Sequence, residues 1–235
     1  MTARGKFIAI EGIDGSGKST QLDLLGRALE SRGVACAKFS FPRYESSFGK
    51  LVAAYLNGEF GPLSAVDAHL SALLYAGDRF EAKPELEAAL ASGKTLLSDR
   101  YVASNLAHQT ARVAPEKRAE FIRWLKHVEY ELYGLPEEDL VIYLSVPLSE
   151  ADRLVGLKKP REYTNLRRDI QEADQRHLKS AASVYDVLAE APNWLTVSCV
   201  GSDDSLLSRD AIHEAVLAAV NARLPELGLG AKGTR

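Results

Sequence analysis

Gly12-Ile13-Asp14-Gly15-Ser16-Gly17-Lys18-Ser19-Thr20 fits G-x-x-x-x-G-K-[ST] at every fixed position. Such a stretch can cradle phosphates. Its glycines let the backbone turn tightly and aim N–H groups inward at phosphate oxygens. Lys18 brings a point charge toward the β- and γ-phosphates, and the Ser19 hydroxyl can ligate Mg²⁺. The start of the following helix favours negative charge. Gly12, Asp14, Gly15, Ser16, Gly17, Lys18, Ser19 and Thr20 are therefore the candidate binding loop for a nucleoside triphosphate. The flanks suit it: Lys6 to Ile10 reads as a short buried strand, and the stretch from Lys18 reads as a helix with Leu22, Leu25 and Leu29 on one face.

Motors, GTPases and kinases all carry such loops, so other residues must say what accepts the phosphate. Asp99-Arg100-Tyr101 follows the apolar run Thr95 to Ser98, and in open α/β sheets ligands bind beyond the carboxyl ends of strands. Asp99 is then placed to hold Mg²⁺, directly or through water. Arg100 can clamp a phosphate with its bidentate fork; a surface ion pair is the plainer alternative. Tyr101, Asn105 and His108 recur at i, i+4 and i+7, on one helix face. Asn can bond a base edge with donor and acceptor together, although such faces are commonly solvated. Phe41-Pro42-Arg43-Tyr44 ends another apolar run, and suits either a wall that packs a base and holds its phosphate or a plain turn. Tyr75 and Arg79 lie at i and i+4 in the helical pattern of residues 64–91. They can stack on a base and donate to its carbonyl, or form an ordinary Tyr–Arg contact. Arginines in three segments are thus expected to project near one end of the sheet. A monophosphate acceptor, with about two negative charges near neutral pH, needs such neutralisation. A protein that hands its phosphate to water needs no such pocket.

These residues must be held by a scaffold, and the chain is long enough to supply one. At 235 residues, 46% of them hydrophobic, it can bury a sizeable core, and a single domain over residues 1–227 is expected. Val34–Phe39, Thr95–Ser98, Leu140–Leu144 and Trp194–Val197 join Lys6–Ile10 as short apolar strands, of the kind covered on both faces. Helical patterns alternate with them. One keeps Phe121, Leu125, Val128 and Leu132 in a stripe between Pro115 and Gly134; another keeps Leu178, Ala181, Tyr185 and Leu188. Strands alternating with helices predict a parallel α/β sheet with right-handed crossovers. Residues 156–168 are polar, basic and broken by Gly and Pro. A solvated loop and a mobile lid closing over phosphates both fit. Residues 228–235 read as a frayed tail.

The formal charge of −3 gives no footing for long nucleic acids, which want a basic surface. No apolar run reaches the ~18 residues of a membrane span, and the chain enters a strand almost at once, so a signal peptide is not expected. Cys36 and Cys199 lack metal-type spacing and are expected as buried free thiols. A cytoplasmic protein is the expectation.

Taken together, the chain resembles thymidylate kinases from about Lys6 to about Val200. The marks are the loop beginning Glu11-Gly12-Ile13-Asp14, the Phe41-Pro42-Arg43 turn, Asp78-Arg79 in a helix, and Asp99-Arg100-Tyr101 with Ser104-Asn105 following. The resemblance implies the P-loop NTPase fold, with a five-stranded parallel sheet flanked by helices on both faces and a small basic lid, and usually a homodimer. It implies ATP and Mg²⁺ as cofactors and small nucleotides as partners. Asp14 would sit near the sugar 3′-hydroxyl and the acceptor phosphate, Tyr75 would stack on thymine, and Arg79 would donate to its carbonyl. Asn105 would read the base edge and Arg100 would hold the acceptor phosphate. Phe41 and Pro42 would wall the pocket, with Arg43 and Tyr44 orienting the phosphate. His108 stands near the sugar, where many relatives have Tyr, and Tyr75 replaces the commoner Phe. Gly15 and Ser16 leave the loop without an arginine, so the catalytic cation would come from the lid. Arg161 is favoured, with Arg167 and the neighbouring Lys158, Lys159 and Arg168 as alternatives. Lys18, Asp14, Arg100, Arg161 and Arg167 form the expected catalytic set, with Ser19 and Asp99 at the metal. A kinase of another nucleoside monophosphate or deoxynucleoside, and a nucleotide-dependent switch with no acceptor, are the rival readings.

Overall fold

A computed structural model of the chain describes residues 4–156, 164, 169–171 and 174–227. Five parallel strands form one sheet in the order β2-β3-β1-β4-β5. They are β1 (Phe7–Glu11), β2 (Cys36–Ser40), β3 (Thr95–Asp99), β4 (Leu140–Ser145) and β5 (Trp194–Ser198). β1 is central and buried at every position. Its apolar run has no polar alternation because helices cover both faces of a parallel sheet. The edge strands depart from that expectation. β2 has no buried residue, and in β5 only Trp194 and Val197 are buried. Cys36 is accordingly only half-buried, while Cys199 is buried as expected. Burial pushes both thiols up to about 11, so they are protonated at neutral pH.

The helices are α1 (Lys18–Glu30), α2 (Ser47–Leu56), α3 (Ala68–Ala91), α4 (Val102–Thr110), α5 (Arg118–Lys126), α6 (Leu148–Gly156), α7 (Gln175–Leu188) and α8 (Arg209–Arg223). The anticipated stripes on α1 and α7 are buried: Leu22, Leu25 and Leu29 on the first, Leu178, Ala181, Tyr185 and Leu188 on the second. The stripe through Phe121 holds only to Val128. Residues His127–Leu132 open into a π-helix, whose wider turn shifts the register of everything after it. Leu132 is thereby 65% exposed, and Glu129 takes a place in the interior at 0%.

α2 and α3 stand beside the sheet and carry one wall of the cleft described below. The turn that leads into α2 depends on Gly49. A Cβ there would stand 1.8 Å from the Arg43 carbonyl oxygen, a backbone atom that cannot rotate away. Intrinsic helix propensity favours Ala over Gly by roughly 1 kcal/mol. Overpacking against a fixed carbonyl costs about 1–3 kcal/mol. Gly49→Ala is therefore expected to lower the urea midpoint despite its better helix propensity. A midpoint equal to or above that of the unaltered chain would show that the 43–49 turn yields.

Below the sheet, Glu138 is buried and accepts a 2.7 Å hydrogen bond from the Tyr130 hydroxyl. Burial pushes its carboxyl up to about 7. The folded state thus keeps this proton where the unfolded chain has lost it, between roughly pH 4.5 and 7. Stability contributed by Glu138 is present below that window and falls as pH rises through it. Glu138→Gln has no proton to lose, so its stability relative to the unaltered chain is expected to grow between pH 5 and 8, by about 2–3 kcal/mol. Urea titrations across that range check it, and a constant difference would remove Glu138 as the cause.

Candidate active site

A cavity of about 920 Å³ opens beyond the carboxyl ends of β1, β2 and β3. It is lined by the glycine loop after β1, by Ser40, Phe41 and Pro42 after β2, by Asp99 and Arg100 after β3, and by side chains of α3 and α4. This is where a parallel sheet presents its ligand sites, because the strand ends free their backbone groups there.

Asp14, Gly15, Gly17, Lys18, Ser19 and Thr20 face the cavity, and Gly12 and Ser16 lie behind them. Gly12 and Gly15 have φ of 146° and 89°, values that L side chains rarely adopt. A Cβ on Gly15 would also meet the Ala151 carbonyl oxygen at 2.3 Å. The Lys18 ammonium donates to the Gly12 and Ile13 carbonyls at 3.0 Å each, so it braces the loop from within.

Arg100 sits at φ 66°, a strained backbone for a non-glycine residue. Its N–H donates to the Ile10 carbonyl, and the Arg100 carbonyl accepts from the Ser98 hydroxyl. The side chain is thereby aimed across the cleft. One guanidinium nitrogen donates to Asp14 at 2.7 Å and the other to Ser104 Oγ at 2.9 Å. Burial works against this cation, but Asp14, backed by Tyr185, Asp99 and Glu11, holds it firmly protonated. The Ser104 hydroxyl in turn donates to Glu11 at 2.6 Å. Glu11 also accepts from the Tyr101 and Ser104 N–H groups and from the Tyr185 hydroxyl.

Tyr75, Arg79 and Asn105 line the cavity together. Arg79 forms a bidentate pair with Glu129 at the back of the pocket, its Nε 2.8 Å from Oε2 and its Nη2 bonded to Oε1. Both side chains are almost fully buried, at 2% and 0% exposure. Asn105 spends its amide donors on the Ala72 carbonyl and on Glu129, at 3.0 and 2.8 Å. Its Oδ1 is buried with no partner among the described residues. The expectation that Asn105 offers a donor and an acceptor is thus corrected: it offers the acceptor only. Glu129 is the residue that sequence reasoning missed. The signal was a carboxylate continuing the buried Phe121, Leu125 spacing, which a core tolerates only when paired.

Tyr101 is the N-cap of α4 and is fully buried against Phe7 and Phe41. Pro42 and Tyr44 line the cavity beside Phe41, and the Phe41–Pro42 peptide is cis. Arg43 does not join them. Its backbone N–H donates to Asp78 at 2.8 Å, and its guanidinium reaches Glu85 at 3.1 Å and the Asp78 carboxylate at 3.5 Å. The sequence could not foresee this, because both acids lie a helix away on α3. His108 lines the cavity on α4 as anticipated, and packs against His177, which was not. Arg161, Arg167 and their basic neighbours lie outside the described residues, as does the 228–235 tail. Asp174 caps α7, accepting from the Arg176 and His177 N–H groups.

No group of three or more His, Cys, Asp or Glu side chains among the described residues could cage a metal. Ser19 and Asp99 do share the cavity rim with the loop. One hydroxyl and one carboxylate are a hard-oxygen set of the size that suits Mg²⁺, which keeps waters and takes phosphate oxygens for its other positions. No helix among the described residues is long and apolar enough to cross a membrane.

The thymidylate kinase family model matches residues 10–204. The thymidylate kinase of Mycobacterium tuberculosis is 33% identical over 189 residues, covering 80% of this chain and 87% of that protein. The human thymidylate kinase is 35% identical over 148 residues, 63% of this chain and 64% of that one. A solved thymidylate kinase structure from Candida albicans superposes with a TM-score of 0.73 at 22% identity, over 94% of this chain and 93% of that chain. The last shows a shared fold.

The buried ion pair makes a test that any ligand reading must survive. Glu129→Ala would strand the Arg79 cation in the interior, and breaking such a pair costs about 3–5 kcal/mol. Replacing both partners, as in Arg79→Met with Glu129→Leu, is expected to recover most of that loss. Thermal and urea unfolding of the three chains decide it. A single variant within about 1 kcal/mol of the unaltered chain would contradict the pairing.

Proposed function

The chain belongs to the thymidylate kinase family, and we propose that it transfers the γ-phosphoryl group of ATP to dTMP, giving ADP and dTDP for dTTP synthesis. One observation carries this reading: the phosphate cradle opens into the same cavity as a base pocket in which Asn105 Oδ1 is a buried acceptor with no partner among the described residues. A fixed acceptor suits the N3–H of thymine. It disfavours cytosine, which offers a lone pair at N3. Tyr75 would stack on the ring, and Arg79, oriented by Glu129, would donate to a base carbonyl. Phe41, Pro42 and Tyr44 would complete the wall. Arg43, engaged by Asp78 and Glu85, would act on the turn and not on the phosphate.

Arg100 would exchange its contact with Asp14 for the acceptor phosphate, leaving Asp14 to the sugar 3′-hydroxyl. The attacking phosphate oxygen is already ionised near neutral pH, so no general base is required. Catalysis is then positioning and charge stabilisation of a loose transition state. Lys18 would turn from the loop carbonyls toward the transferred group, and Arg161 or Arg167 would supply the remaining cation. Mg²⁺, held by Ser19 and Asp99, would add charge neutralisation at the phosphates.

A switch protein without an acceptor would have no use for the pocket of Tyr75, Arg79 and Asn105. A cytoplasmic homodimer belongs to the same proposal. The exposed Phe80, its ring 4.8 Å from Tyr133, and the exposed Leu132 offer apolar surface in support.

A coupled ADP-release assay over dTMP, dUMP, UMP, dCMP and thymidine tests the reading. Turnover is expected to be highest with dTMP, very low with dCMP, and lost on chelation of Mg²⁺. Arg161→Ala with Arg167→Ala should lower kcat by roughly 10³-fold or more, the worth of an arginine in related phosphoryl transfers, with ATP binding retained. Absence of any dTMP-dependent ADP release would defeat the proposal.

A further inference from the structure

His108 and His177 meet where α4 packs on α7. His108 Nδ1 lies 3.3 Å from His177 Nε2, with ring centroids 5.5 Å apart and planes at 37°. Both side chains are buried, at 6% and 5% exposure. Tyr185 stands edge-on to His108 at 6.1 Å and closes its other side. Burial holds both imidazoles well below the usual histidine range, His177 at about 4, and the Arg100 cation reinforces this for His108. Two neutral rings in N···N contact share one proton, so only two arrangements exist. Either His177 donates to His108, or His108 donates to His177.

The arrangement matters because of the other nitrogen. His108 lines the cavity, and its Nε2 is buried without a hydrogen-bond partner among the described residues. If His108 spends its proton on His177, Nε2 carries a lone pair. If His177 donates instead, the His108 proton resides on Nε2, which becomes a donor. A nucleotide presents oxygens along its phosphate and sugar, and most of them need a donor. We propose that His177 is a positioning residue: its Nε2–H donates to His108 Nδ1 and so fixes His108 Nε2–H as a donor to an oxygen of the acceptor nucleotide. The inference rests on the acceptor reading above and deepens it. It ties α7, whose N-cap Asp174 holds the His177 backbone N–H at 3.0 Å, to the occupancy of the pocket on α4.

The test is ¹⁵N NMR of the histidine-labelled full chain, titrated with dTMP and separately with ATP, with binding constants measured by calorimetry. His108→Asn and His177→Phe assign the two rings. In the unaltered protein, His108 is expected to show a protonated Nε2 and an unprotonated Nδ1, with the Nε2 signal moved by dTMP and not by ATP. In His177→Phe the two His108 nitrogens should average between tautomers. The dTMP Kd should rise about three- to tenfold, the range of one hydrogen bond, with the ATP Kd unchanged. His177→Gln, which keeps an amide donor, should restore both the tautomer and the affinity. A His108 protonated on Nδ1, or unchanged dTMP affinity in His177→Phe, overturns the inference and leaves the acceptor reading standing. An unaltered protein with no dTMP affinity overturns the acceptor reading itself. Should His177→Phe fail to fold, the nitrogen signals of the unaltered chain and the affinity of His177→Gln decide the matter.

Discussion

Glu11 ends the central strand with no exposed surface, yet four donors converge on its two oxygens. They are the backbone N–H groups of Tyr101 and Ser104 and the hydroxyls of Ser104 and Tyr185. Taking a carboxyl group out of water is costly, and only such saturation with donors offsets it. The consequence reaches past stability. Glu11 satisfies orphan N–H groups at the start of α4, so the helix begins at a fixed place relative to the glycine loop. It also holds Ser104, whose hydroxyl receives a donor from Arg100 and passes its own to Glu11. The loop, the Arg100 fork and the α4 face with Asn105 and His108 are therefore one rigid assembly. Through Tyr185 the same carboxyl group reaches α7.

A second buried carboxyl group repeats this logic deeper in the pocket. Glu129 holds Arg79 and consumes one Asn105 donor. The pocket is thereby given a direction: a guanidinium on one side and a bare carbonyl oxygen on the other. A ligand that mismatches this pattern leaves a buried polar group unpaired. That penalty is larger than the gain from a matched bond. Recognition of a base is in this sense prepared before it arrives, since the polar groups that would do it are already locked by partners from α3, α4 and the π-helical segment.

The architecture was largely legible in the chain. Five apolar runs became five parallel strands, and the stripes on α1 and α7 are buried as their spacing requires. The glycine loop could be read outright, because phosphate cradling demands particular residue types at adjacent positions and the motif is local. The misreadings have a common origin. Leu132 was assigned to a buried stripe that a π-turn breaks. Arg43 was assigned to the pocket, but Asp78 and Glu85 draw it to α3. β2 and β5 were expected to be covered on both faces, but they lie at the sheet edges. In each case the deciding feature leaves no mark in the local residue spacing: a change of helix register, partners on another helix, or a place at the sheet edge.

Residue type and local period settled which segments would pair as strands and where a glycine loop of the phosphate-cradling kind would stand. These depend on neighbours within a few positions, and spacing along the chain records them directly. What the tertiary structure alone decided is how those side chains are used. Asn105 became an acceptor, Arg79 a tethered fork, and His108 one half of a hydrogen-bonded pair, because Glu129 and His177 arrive from 24 and 69 residues away. A hydrogen bond is consumed or left open by whatever folding brings within about 3 Å, and no pattern along the chain records that distance.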